Sequence, residues 1–199
     1  MKTVEMYYDF RSPFAYFASQ RLALLEAENV EVIWKPVLVD VLLNLQAGRE
    51  PTAEVLDPMC APKRDHFMAD IFRMIKYWKI DFAPPKPTPP SCNIAMAVAS
   101  VKESSGVDHS VFGNTVFEAV WQKQIDVNDM SMLEQILVDG NHDTGLIQVA
   151  KEKGMAELIQ KSINAFESGV FGVPTFVWDN ELFFGADRME LLAWSIGSK

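Results

Sequence analysis

Alternation with a period of two is confined to the two ends of this 199-residue chain, and that distribution constrains its fold more than any other feature. Residues 3–10 place Val4, Met6, Tyr8 and Phe10 on one side and Thr3, Glu5, Tyr7 and Asp9 on the other, the pattern of a strand with one buried face. Residues 31–39 are rich in β-formers and predict a second strand. Pro36 belongs at an edge or a bulge there, because proline donates nothing to a ladder. Strand patterns return only at 175–178 and 181–184, which flank Asp179-Asn180, a two-residue hairpin signal. Two short β pieces so far apart need each other to complete a sheet. The pattern therefore predicts one α/β domain made of residues 1–40 and 170–199, split by an all-helical insertion over residues 41–169.

Helical spacing accounts for the rest. Ser12-Pro13 opens the first helix, with Ser as N-cap and Pro at the first helical position. Phe14, Phe17, Ala18, Leu22 and Leu25 carry that helix to about residue 28. Phe67, Ile71, Met74, Ile75 and Trp78 form one stripe, and Val116, Phe117, Val120 and Trp121 another, with further runs near 131–138, 144–153 and 155–167. Residues 83–90 hold five prolines in eight positions and predict an extended connector. A last helix begins near Asp187 and carries Met189, Leu191, Leu192 and Ile196.

Composition narrows the function classes. The chain has 18 Lys+Arg against 27 Asp+Glu, a net charge of −9, so a nucleic-acid partner is not expected, since phosphate neutralisation needs a basic face. With 49% hydrophobic and 23% charged residues it has the globular balance. Glu5 and Asp9 stand where a signal peptide needs an apolar stretch. No apolar run approaches the ~20 residues of a membrane helix. Cys60 and Cys92 form no Cys-x-x-Cys and suit a reducing compartment, so a cytoplasmic protein without membrane attachment is expected. His66, His109 and His142 are isolated, and no metal is expected.

Three segments are candidates for chemistry, and each has a purely structural alternative. In Asp9-Phe-Arg-Ser-Pro-Phe-Ala-Tyr16, Ser12 is a helix cap, or a hydroxyl that donates to a thiolate or oxyanion at a helix start. In Gly172-Val-Pro-Thr175, local propensity favours a trans bond, cis being found in only ~5–6% of X-Pro cases. The alternative is a strand start at which Val173 offers its backbone to an extended peptide. In Phe184-Gly-Ala-Asp-Arg188, Asp187 caps the last helix, or its carboxylate receives an ammonium group.

Taken together, and in this order along the chain, the three segments resemble the thioredoxin fold in its DsbA-like form. Ser12-Pro13-Phe14-Ala15 stands in the slot of the Cys-x-x-Cys, so both redox sulfurs are missing. This variant is similar to the 2-hydroxychromene-2-carboxylate isomerases and the kappa-class glutathione transferases. The resemblance implies a thioredoxin-like domain in residues 1–40 and 170–199, glutathione as cofactor, and a homodimer. By residue it implies Ser12 as the catalytic donor to the glutathione thiolate and Val173, before a cis Pro174, pairing with the cysteinyl part. Gly185, Ala186 and Asp187 would hold the γ-glutamyl end, with Asp187 on its amino group. The implied reaction is the glutathione-dependent cis–trans isomerisation of a 2-hydroxychromene-2-carboxylate-type aromatic acid. A kappa-class transferase or peroxidase, or a non-catalytic glutathione-binding protein, is the alternative.

The small aromatic carboxylate has two candidate ligands. Lys63 extends the row Phe67, Ile71, Ile75 at i, i+4 spacing, in a stretch (63–79) with five basic and two acidic side chains. A snorkelling lysine explains this spacing, as does an anion clamp, and the family places a basic residue near here. Asn93 stands where the family often has Asn, and reads first as a helix cap. Arg11 and Thr88 depart from the family pattern at positions that bear on the aromatic pocket, and Phe184 keeps the expected aromatic character.

Overall fold

The computed structural model describes residues 2–26, 29–56, 59–88, 90–106 and 108–198, with the Glu26 side chain outside the description. The alternating segment forms β1 (Lys2–Tyr8), and Val4, Met6 and Tyr8 on its inner face are completely buried. β2 (Val30–Pro36) pairs with it in parallel, Lys2 opposite Val30 and Tyr8 opposite Pro36. The sheet order is β2-β1-β3-β4, which puts β2 on an edge and Pro36 at its last residue, as proline requires. β3 (Thr175–Trp178) is antiparallel to β1 and joined to β4 (Glu181–Phe184) by Asp179 and Asn180. Both turn residues have positive φ, +50° and +63°, the conformation of a type I′ hairpin turn. Among the described residues no strand lies between residues 37 and 174.

Ten helices complete the described chain. α1 (Pro13–Ser19) and α2 (Ala23–Glu26) replace the single helix expected to residue 28. Between them the backbone tightens to i→i−3 bonds, Arg21 N–H to Ala18 and Leu25 N–H to Leu22. The side chain of Arg21 leaves the helix axis to lie 3.9 Å over the Trp78 ring and to donate to the Ala186 carbonyl at 2.7 Å. α3 (Val39–Gln46) begins where the second strand was expected to end. α4 (Ala61–Trp78), α5 (Asn93–Ser104), α6 (Ser110–Trp121) and α7 (Met130–Asp139) follow. α8 (Leu146–Val149) runs through a π-helical turn at Ala150–Gly154 into α9 (Met155–Glu167), so two predicted runs are one continuous helical stretch. The chain ends in a 3₁₀ turn (Ala186–Arg188) and α10 (Met189–Gly197).

The larger core lies between the inner face of β1 and the helices. Phe10 and Phe117 meet edge to face at 5.0 Å, and Phe82 stacks on Trp121 at 5.5 Å. α5 is buried from Ala95 to Lys102, its alanines allowing other helices to approach on every side. A smaller cluster on the opposite face gathers Val37, Leu42, Ala165, Val170 and Val173. The described part of the proline-rich connector has no helix, and the chain at its start is strapped to α1 and α6. Ala83 N–H donates to the Trp121 carbonyl at 2.6 Å, and Tyr16 Oη donates to the Asp81 carbonyl at 2.5 Å. Among the described residues no helix is long and apolar enough to cross a membrane.

Candidate functional site

Strand register alone assembles the three segments. Tyr7 lies opposite Thr175, and Thr175 opposite Phe184, so the turn after β1, the loop before β3 and the turn after β4 emerge at one end of three adjacent strands. Two hydrogen bonds draw them closer. Gly185 N–H donates to the Pro174 carbonyl at 2.9 Å, and Arg21, just beyond α1, reaches the Ala186 carbonyl.

Ser12 ends the first of these turns. Its φ and ψ of −91° and 117° are those of an N-cap, its N–H donates to the Asp9 carbonyl at 3.0 Å, and its Oγ accepts the Ala15 N–H at 3.2 Å. Capping uses the hydroxyl as an acceptor only. Its proton has no acceptor among the described residues, so the side chain keeps a donor for something outside the chain. The turn itself is rooted in the core: Trp121 Nε1 donates to the Phe10 carbonyl at 2.8 Å, and Phe10 N–H points at Met96 Sδ at 3.3 Å.

Asp9 is the member of this turn that sequence reasoning did not single out. It is completely buried, and its two oxygens accept the N–H groups of Arg11 at 3.0 Å and Val39 at 2.9 Å. Burial pushes its pKa up to about 6, against the opposing pull of those two N–H bonds and of the Arg11 charge. Arg11 pairs with Asp40 on α3, and its Nε is buried without a partner. Cys92, which precedes α5, is also buried, and burial raises its thiol pKa well above the usual range, so it is held as a neutral thiol.

The second segment carries a cis Val173–Pro174 bond, as the resemblance implies. The Val173 side chain packs in the smaller cluster, and no backbone hydrogen bond involves Val173 among the described residues. Thr175 Oγ1 donates to the Gly172 carbonyl at 2.7 Å and closes the loop. In the third segment Gly185 has φ +110° and ψ 149°, a conformation essentially reserved for glycine. A Cβ there would lie 2.5 Å from Asp187 Oδ1. Asp187 caps nothing: the helical turn begins one residue earlier, at Ala186, and has no side-chain cap. Its exposed carboxylate lies 3.8 Å from Arg188 Nε.

The two residues expected to meet substrate are not drawn into this cluster equally. Lys63 is exposed on α4 without an ion pair among the described residues, its ammonium 6.0 Å from the Phe67 ring. Phe67 in turn meets Phe14 of α1 at 5.4 Å, which connects Lys63 to the helix that Ser12 caps. Asn93 is exposed as the first residue of α5 and makes no capping bond, because the N-cap position falls one residue earlier, on Cys92. A cavity of about 230 Å³ opens elsewhere, beside β2 and α9, among Tyr7, Lys35, Glu103 and Lys161. No cluster of His, Cys, Asp and Glu fit for a metal occurs among the described residues.

This arrangement defines the class. The chain belongs to the family of DSBA-like thioredoxin domains, which matches residues 3–197. Within it, the chain is similar to the 2-hydroxychromene-2-carboxylate isomerase of Sphingobium xenophagum, 26% identical over 195 residues and covering 96% of each chain. It is also similar to glutathione S-transferase kappa 1 of Homo sapiens, 22% identical over 215 residues, with 100% of this chain and 92% of the relative covered. A solved structure of a 2-hydroxychromene-2-carboxylate isomerase shares the fold with a TM-score of 0.80 at 22% identity, over 98% of this chain and 95% of that one. The fold is therefore the DsbA-like thioredoxin fold.

Proposed function

We propose that the chain is a glutathione-dependent isomerase acting on a small aromatic acid of the 2-hydroxychromene-2-carboxylate type, with Ser12 as its catalytic residue. The observation that carries the reading is the division of labour at Ser12, whose oxygen is spent on the helix cap while its proton remains unshared. A hydroxyl donor aimed at a sulfur favours the thiolate, since a free thiol with a pKa near ~8.5 is mostly protonated at pH 7. Val173, with no backbone bond of its own, suits the main chain of a bound peptide. Pro174 holds Val173 at the strand start, Gly185 and Ala186 present the turn beside it, and the exposed Asp187 carboxylate suits an ammonium group.

Glutathione, when held by Ser12, Val173, Pro174 and the turn Gly185–Asp187, would supply a thiolate nucleophile for reversible addition to a conjugated double bond. The chain's part is to hold and orient. Ser12 donates and does not attack, because no histidine or other base lies within hydrogen-bond distance of its Oγ among the described residues. Lys63 provides the cation for the substrate carboxylate, and Asn93 an amide donor. The working unit is a pair of chains, as the resemblance implies.

Titration with glutathione tests the binding, with thiolate absorbance in the ultraviolet as the signal. Turnover that requires glutathione without consuming it identifies an isomerase, and stoichiometric consumption identifies a transferase. Ser12→Ala should remove the thiolate signal and slow turnover by roughly one to two decades, the loss of a hydrogen bond to a charged partner worth about 1.5–3 kcal/mol. Full activity with an undiminished thiolate signal in that variant would leave Ser12 as a helix cap and refute the mechanism.

A further inference from the structure

Among the described residues Asp9 is the only buried carboxylate, and its two oxygens serve two different turns. Oδ1 takes the N–H of Arg11, the residue before Ser12, and Oδ2 takes the N–H of Val39, the first residue of α3. The Asp9 main chain holds Ser12 as well, through the Ser12 N–H bond to its carbonyl at 3.0 Å. We infer that Asp9 is the positioning residue for Ser12: its ionised carboxylate ties the Ser12 turn to the start of α3, and the Ser12 hydroxyl is held for donation to a thiol only while that tie is intact. The inference rests on the reading of Ser12 as a thiol donor and adds to it a control by proton.

The chemistry of the group explains the control. An ionised carboxylate accepts at both oxygens, whereas the protonated acid presents one carbonyl oxygen and one O–H donor, so that one of the two amides loses its acceptor. Four charged or titratable groups face Asp9: Arg11 in the same turn, Asp40 from α3, Tyr8 at the end of β1 and Cys92 at the start of α5. Burial keeps Tyr8 and Cys92 neutral throughout the physiological range, and Arg11 is engaged by Asp40. Asp9 itself, raised to about 6, changes charge between about pH 5 and 7. A Ser12 turn with no carboxylate beneath it would have no such dependence.

The test uses the full chain and two measurements. The amide resonances of Arg11, Ser12 and Val39 are followed without ligand from about pH 5 to 8, and glutathione affinity is measured calorimetrically over the same range, in wild type and in Asp9→Asn. All three amides should titrate with one midpoint near 6, and glutathione should bind about tenfold more weakly at pH 5 than at pH 7, since only the ionised fraction is competent. Asp9→Asn should flatten both profiles. A Ser12 amide that stays still while its neighbours titrate overturns the inference, as does an affinity profile unchanged by the substitution. If the variant fails to fold, the wild type decides: a shared midpoint for the Ser12 amide and the affinity supports the inference, and separate midpoints overturn it. A chain that binds no glutathione at any pH refutes the proposed function, while the ligand-free Ser12 amide still decides the role of Asp9.

Discussion

Two strand-to-helix turns stand side by side at the same end of the sheet and are held in different proportions by side chains and main chain. The turn from β1 to α1 is fastened by side chains: the Asp9 carboxylate, the Trp121 indole, the Met96 sulfur and the Ser12 hydroxyl all bond to its main chain. The turn from β4 to α10 is fastened chiefly by main-chain geometry, with the Arg21 side chain donating to its Ala186 carbonyl. Gly185 adopts a conformation closed to other residues, its N–H bonds to Pro174, and the helix that follows has no side-chain cap. The difference matches what each turn is proposed to do. A hydroxyl that stabilises a sulfur anion must stay within hydrogen-bond reach of one point, so its support is buried and rigid. A carboxylate that greets an ammonium group tolerates motion, so Asp187 is left exposed.

The largest effect that would break this contrast concerns Asp9. Its folded pKa of about 6 lies above the ordinary 3.8, so the unfolded chain ionises first as pH rises. Stability attributable to this group is therefore intact below the ordinary value, falls through the interval, and is fully lost above about 6, a change of ~3 kcal/mol from roughly two units of difference. Chemical unfolding of wild type and Asp9→Asn at pH 4 and pH 7 should show the difference moving in the variant's favour by about that amount. Equal pH dependences would mean that the carboxylate is better solvated than its burial implies.

Next in size is Gly185→Ala, which forces an ordinary side chain into φ +110° and against the Asp187 carboxylate. The cost should be about 1–3 kcal/mol in unfolding free energy, accompanied by weaker glutathione binding. A neutral outcome would show that the second turn relaxes without its glycine. The smallest effects sharpen the contrast in capping. Ser12→Ala should lose about 1 kcal/mol of stability with its cap bond, whereas Asp187→Ala should stay within about 0.5 kcal/mol. Thermal melts of the two variants measure this, and equal losses would mean that Asp187 caps after all.

Features set by neighbours in sequence were the legible ones. Ser12-Pro13 capped α1 as its local chemistry demands, and Asp179-Asn180 turned the hairpin with two positive φ values. Offsets of one residue arose where two signals compete. Gly185 ends β4 with a bend that starts the helical turn at Ala186, which displaces Asp187 from the cap, and α5 takes Asn93 as its first residue instead of its cap. The stripe on α4 was legible as a shared face, but periodicity does not say what covers a face: only Ile71 is buried, while Phe67 is 36% exposed. Asp9 was hidden for a different reason. Alternation assigned it to the outer side of a strand that had already ended at Tyr8, and one of its two N–H partners, Val39, lies thirty residues away in sequence.

The position of β1 has a consequence for how the chain is made. One of its two partners, β2, leaves the ribosome soon after it, but the other, β3, lies beyond the whole helical block. At about 5–20 residues per second, the interval before β3 appears is on the order of ten seconds. Throughout that time a strand destined for the middle of a sheet presents one unpaired edge, the kind of surface on which chains aggregate. The helices synthesised in between carry side chains of the core cluster that holds Val4, Met6 and Tyr8, Phe117 of α6 against Tyr8 among them. Their residues precede β3 in the chain, so the apolar side of β1 has its cover made before its open edge has its partner.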